Sequence, residues 1–197
     1  MQEEQHNPWE NLMTTTASTL TGSYTLDPTH TRLGFVTRHA MVTKVRGAFE
    51  KLDGSAVLDF EDPTRSSASL TFEVASINTG NGQRDEHLRT NDFFDATTYP
   101  TATFESTGIT VLDEDSFEMV GDLTLKGVTK PVTITWELTG TQTDPFGNLR
   151  AGFEGKAVIN RKDWGVNFNA ALEAGGVLVS EKITLEFDIS AIQTATV

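Results

Sequence analysis

From Ser23 onward the chain alternates. Phe117, Met119, Gly121, Leu123 and Leu125 fall on one face of a strand, with Glu118, Val120, Asp122, Thr124 and Lys126 on the other. Val132, Ile134, Trp136 and Leu138 alternate with Thr133, Thr135, Glu137 and Thr139. Leu149, Ala151, Phe153, Ala157 and Ile159 alternate mostly with polar residues, and so do Ile183, Leu185, Phe187 and Ile189. Period two with one apolar face predicts antiparallel strands that are wet on one side. Turn residues punctuate the runs at Asp53-Gly54, Asp62-Pro63, Gly127, Asp144-Pro145 and Gly147-Asn148, with Asp113-Glu114-Asp115 between two strands. Eight strands are expected, over 23–38, 46–60, 67–77, 101–112, 117–126, 130–142, 148–160 and 181–192. Two segments break the pattern, 39–46 and 84–91, and each is expected as about two turns of helix.

Eight one-sided strands without covering helices must bury their apolar faces against each other. A sandwich and a closed barrel both do so. Long strands, short turns and polar outer faces favour an all-β fold in which a single antiparallel sheet closes into an eight-stranded barrel with one or two short helices. The outer face carries Thr, Glu and Lys, which excludes a membrane porin. Residues 1–22 are polar and Thr-rich without periodicity and are expected as a flexible tail, with Trp9 and Leu12 as a docking motif in the alternative. Residues 23–197 form the barrel domain.

Composition narrows the partners. Lys and Arg total 15 against 28 Asp and Glu, a net charge of -13. A chain this acidic is repelled overall by phosphate backbones and anionic lipid surfaces, so nucleic acid is not an expected partner, while a local basic patch and a neutral or weakly anionic small ligand are compatible with it. The chain has no cysteine, which removes disulfides and thiolate chemistry. The first 22 residues lack a basic and an apolar region of the secretory type, and no apolar run is long enough to span a bilayer as a helix. The expected location is the cytoplasm.

The four histidines, His6, His30, His39 and His87, form no metal-binding spacing, so no metal is expected. His39 follows Leu33, Phe35 and Thr37 at spacing two, which reads first as a hydrogen-bonded core histidine and second as a contact to a ligand head. Asp27-Pro28-Thr29-His30 reads as an Asx turn, and Arg84-Asp85-Glu86-His87 as a helix start. No nucleophile elbow, Walker loop or dinucleotide motif occurs, so no catalytic residue or cofactor is expected. The aromatics say more. Phe35, Phe49, Phe72, Phe104, Trp136, Phe153 and Phe187 face the expected interior from strands, while Phe93, Phe94, Trp164 and Phe168 lie in loops, as a cover over an apolar cavity would require.

The blocks YTLDPTHTRLGFVTRHAMVTKVRGAFEKLDG, VASINTGNGQRDEHLRTNDFFDATTYPTATFES and GDLTLKGVTKPVTI resemble the YceI family of lipocalin-like, isoprenoid-binding barrels, from Tyr24 to about Ile192. Ser76, Thr79, Arg84, Asp85, His87, Leu88, Asp92, Phe93, Phe94 and Pro100 stand in the family's order and spacing. The resemblance implies a barrel whose pore holds a long polyprenyl chain or similar amphiphile. Family members often carry an export signal. Thr37 stands where the family usually has an aliphatic, which implies a locally more polar pore. The family's recurring polar residues map onto His30, His39, Arg84, Asp85 and His87.

The leading expectation is a carrier or sequestering protein for a polyprenyl phosphate, a quinone or a fatty-chain lipid. Its ligand-binding set is Phe35, His39, Leu58, Phe72, Arg84, Phe94, Phe104, Leu123, Trp136, Phe153, Trp164, Phe168 and Ile189. Arg84 and Lys44 are the cations expected to meet a head group. An enzyme using His39 or His87 with Asp85 or Asp92, and a filled-core interaction module, are the alternatives. Proteins resembling this family often pair, so a homodimer is expected.

Overall fold

A computed structural model describes residues 17–196. The strands are β1 Gly22–Leu26, β2 Arg32–His39, β3 Thr43–Phe49, β4 Leu52–Leu58, β5 Ser67–Glu73, β6 Ile77–Asn78, β7 Thr101–Val111, β8 Ser116–Leu125, β9 Val128–Thr143, β10 Leu149–Asn160 and β11 Lys182–Thr196. One helix of two turns, α1 Gly82–Arg89, lies between β6 and β7. All pairings are antiparallel, in the order β1-β4-β5-β7-β8-β9-β10-β11, and β11 closes the ring on β1.

This is the expected eight-stranded barrel with its first three strands each bent in two. Between β1 and β2 stands the Asp27 turn, in which Asp27 Oδ1 accepts from Thr29 N at 3.0 Å and Thr29 Oγ1 at 2.6 Å. β11 runs past both halves, pairing Thr184–Asp188 with β2 and Ala191–Thr196 with β1. β3 and β4 break at Glu50-Lys51, and β5 and β6 at a 3-10 turn, Val74–Ser76. The bends let one wall change direction without losing its hydrogen-bond ladder.

The expected helix over 39–46 is not there. Those residues are the tip and return strand of the β2–β3 hairpin. Ala40 (φ 50°) and Met41 (φ 64°) both sit in the left-handed region, and Val42 N donates to His39 O at 3.1 Å. The register pairs His39 with Thr43, so residues 40–42 make a three-residue loop, and no Asn or Gly marks it in the sequence. Each non-glycine residue held in the left-handed region costs about 1–2 kcal/mol. The helix expected over 84–91 is α1, begun two residues earlier by Asn81, whose side chain accepts from Arg84 N at 3.0 Å.

Most of the tail expected over 1–22, with Trp9 and Leu12, lies outside the described residues. Residues 17–20 form a helical turn, to which Tyr24 is tied by its hydroxyl donating to Leu20 O at 2.6 Å.

Inside the barrel three aromatic rings lie flat over glycines of neighbouring strands. A Cβ on Gly121 would stand 2.2 Å from the Phe104 ring, one on Gly155 2.4 Å from Trp136, and one on Gly47 2.4 Å from Phe35. The missing side chains let these rings lie along the wall rather than across the lumen. The buried core is a main cluster around Leu33, Phe49, Phe72, Phe104, Met119, Leu123, Ile134 and Phe187, with a smaller group of Tyr24, Ala151 and Ala191 at one end.

Candidate lipid site

The rings leave a cavity of about 220 Å³ within the barrel. Its lining runs from Tyr24, Leu58 and Ala191 at one end to Leu88, Phe93 and Val166 at the other. Of the residues expected in the site, Phe35, Leu58, Phe72, Phe94, Phe104, Leu123, Trp136, Phe153 and Ile189 line it. So do Leu33, Phe49, Phe117, Leu185 and Phe187, which the expected set omits although the strand alternation points them inward.

Two polar atoms in this wall are buried without a partner, Trp136 Nε1 and Thr37 Oγ1. A buried polar group left unpaired costs about 1–3 kcal/mol. Arg161 also reaches the lining and is 5% exposed. Its guanidinium donates to three backbone carbonyls, Ser180 O at 3.0 Å, Val166 O at 2.5 Å and Val179 O at 3.4 Å. Burial lowers its pKa from the usual arginine value, with Glu181 opposing that shift. It pins the 166–180 loop over the barrel end. As a charged residue in a polar stretch it reads as solvated, and only the Asn160-Arg161-Lys162-Asp163-Trp164-Gly165 turn hints otherwise.

The cavity adjoins an outer cleft through shared residues Phe35, Thr37, Leu88, Phe93 and Val179. Arg38, His39, Thr79, Arg84, His87 and Phe168 line this cleft. His39 is therefore exposed, not a core histidine: β2 runs past the barrel end, where its inward face meets the cleft. Arg84 donates through Nε to Thr79 Oγ1 at 2.6 Å and through Nη2 to Thr79 O at 2.9 Å. Asp85 is buried and accepts through Oδ1 from Thr79 N and Oγ1, whereas the carboxylate beside His87 is that of Asp92. His87 Nε2 and Asp92 Oδ2 lie 2.8 Å apart, and the His87 ring meets Phe93 and Phe168 edge to face at 5.1 and 4.9 Å. Lys44 is exposed on β3, outside the residues lining the cleft. Trp164 lines neither space. It is buried in a 3-10 turn, with Nε1 donating to Leu123 O at 3.0 Å, so it packs behind the wall rather than at the opening.

Among the described residues no cluster of three or more His, Asp or Glu is placed to hold a metal, and no helix is long and apolar enough to cross a membrane.

The model of the YceI-like domain matches residues 24–191. The chain belongs to the YceI-like family. It is 35% identical to protein YceI of Shigella flexneri over 185 residues, 93% of each chain. With a UPF0312 protein of Staphylococcus aureus it shares 37% over 165 residues, 83% of this chain and 94% of the relative. Solved structures share the fold. BcnA of Burkholderia cenocepacia gives a TM-score of 0.74 at 25% identity, covering 84% of this chain and 98% of BcnA. A polyisoprenoid binding domain from Saccharophagus degradans gives 0.62 at 20% identity, covering 87% and 98%, and shows the shared fold.

Proposed function

We propose that the protein carries or sequesters a polyisoprenoid or similar long-chain amphiphile, with the hydrocarbon along the barrel axis and the polar head in the outer cleft. The observation that carries this reading is the apolar cavity opening onto a cleft with Arg38, His39, Arg84 and His87. Each CH₂ moved from water contributes about 0.8 kcal/mol, so a few isoprene units offset the entropy of docking without polar contacts. A charged head stays at the mouth, because burying it unpaired costs several kcal/mol. The solved neighbour called a polyisoprenoid binding domain supports the same ligand class. The orphaned Thr37 Oγ1, on a residue shared by the cavity and the cleft, favours a ligand with an oxygen near the head, such as a quinone, a prenyl alcohol or a prenyl phosphate.

Native mass spectrometry of gently purified protein tests this. A bound lipid, or stoichiometric uptake of added polyprenyl phosphate or quinone, is expected. Protein that stays lipid-free and takes up neither contradicts it.

The paired His87 and Asp92 also form a base with its orienting carboxylate. In a second reading they act on a lipid held at the mouth, and unchanged lipid modification in His87→Ala would remove it.

A further inference from the structure

We propose that the β2–β3 hairpin docks the barrel mouth onto an anionic lipid bilayer, so that a lipid passes from the membrane into the cavity without crossing water. This rests on the lipid-binding reading for its purpose, though not for its surface. In a chain of net charge -13, residues 28–49 contain no Asp or Glu but carry Arg32, Arg38, Lys44 and Arg46. Arg38 and Lys44 stand directly opposite each other across the hairpin, with Val36 opposite Arg46. Like charges facing across strands destabilise a sheet, so folding alone gives no reason for this arrangement.

The neighbouring elements leave the patch basic. Glu186 of β11 reaches Arg46 only at 3.9 Å, Asp188 of β11 stands opposite Arg32 at the end of β2 away from the tip, and the loop facing the tip, residues 169–180, contains Glu173 as its single acid. Arg38 Nη1 donates to Val42 O at 3.2 Å, and no carboxylate among the described residues pairs with it.

Beyond these cations the tip presents apolar side chains to solvent, Met41 at 52% and Val42 at 73% exposure. They are held out by the left-handed turn at Ala40 and Met41. The tip is fixed to the mouth: Ala40 N donates to Leu178 O at 2.8 Å and Ser180 N to Arg38 O at 3.0 Å, and both Arg38 and Leu178 line the outer cleft. Exposed apolar residues ringed by Lys and Arg match a bilayer surface in charge and polarity. The fields involved act within about 8 Å, so the patch is felt by the membrane before the distant acidic surface.

Vesicle co-sedimentation of the full chain tests this, using phosphatidylcholine alone and phosphatidylcholine with phosphatidylglycerol. Binding only to the anionic vesicles is expected, with loss at about 0.5 M salt. Lys44→Ala should weaken partition about fivefold, and Arg38→Glu with Lys44→Glu should abolish it while thermal melting is unchanged. Met41→Ser with Val42→Ser should weaken binding to the anionic vesicles at low salt while leaving its salt dependence unchanged. No binding to anionic vesicles, or equal binding by the charge-reversed variant, overturns the proposal and leaves the patch to an acidic protein surface. Uptake of a polyprenyl alcohol from detergent separates the two readings. Uptake without vesicle binding sinks the docking alone, whereas vesicle binding without uptake sinks the carrier reading.

Discussion

The two ends of the barrel treat charge in opposite ways. At the end where β9 turns into β10, Arg150 bridges two carboxylates, Asp27 Oδ2 at 2.6 Å and Asp144 Oδ2 at 2.7 Å, and Asp27 Oδ2 also meets His30 Nδ1 at 2.7 Å. Asp144 Oδ1 accepts from Phe146 N and Asn148 N, so every arm of the network is engaged. At the mouth, cations face one another, a turn is strained and apolar side chains point into water. Satisfied charge ties the bend at Asp27 to the β9–β10 hairpin. Unsatisfied charge, which folding would not select, marks the end that meets something else.

The first expected effect comes from unpairing the Arg150 network. Arg150→Met leaves Asp27 and Asp144 facing each other and should lower the melting temperature, while correctly folded protein still takes up lipid. The same network predicts acid sensitivity. Hydrogen bonds from Thr29, Arg150 and His30 hold the Asp27 carboxyl well below its ordinary 3.8. Those from Arg150 and Asn148 do the same for Asp144. Because both folded values are depressed, this stabilisation is fully present above about pH 4 and is lost as the pH falls further. Melts in wild type should show that loss, and Arg150→Met should flatten it.

Within the cavity, Trp136→Asp should reduce uptake of a polyprenyl alcohol more than tenfold with the circular dichroism of the barrel retained, since a buried unpaired carboxylate costs several kcal/mol. Gly155→Ala pushes a methyl into the Trp136 ring and should cost about 1–3 kcal/mol in stability. It should also shorten the longest chain accepted, read by a series of prenyl alcohols. Thr37→Val, the mildest, should raise stability by about 1 kcal/mol and weaken an oxygenated lipid about fivefold against a plain hydrocarbon. Unchanged selectivity would show that Thr37 is silent.

The same contrast explains what could be read from the chain. Alternation reveals the eight strands and the inward Phe, Leu and Trp residues, because one-sided burial leaves period two in the sequence. It does not reveal the hairpin over 39–46, since an Ala-Met pair at positive φ carries no turn signature. Spacing two puts His39 on the inward side of its strand, but inward means core only while the strand stays inside the barrel. Trp164 reads as a loop aromatic because a 3-10 turn that buries it leaves no periodicity, and buried Arg161 is disguised by its charge. The mouth is least legible because function there overrides the local rules that make the rest readable.

Tryptophan quenching by a long-chain lipid brominated on its tail tests most directly whether hydrocarbon occupies the barrel. The account predicts saturable quenching at one lipid per chain, most of it lost in Trp136→Phe, whose ring still fits over Gly155. Quenching that is absent, or that persists unchanged in Trp136→Phe, would contradict a hydrocarbon lying beside that wall.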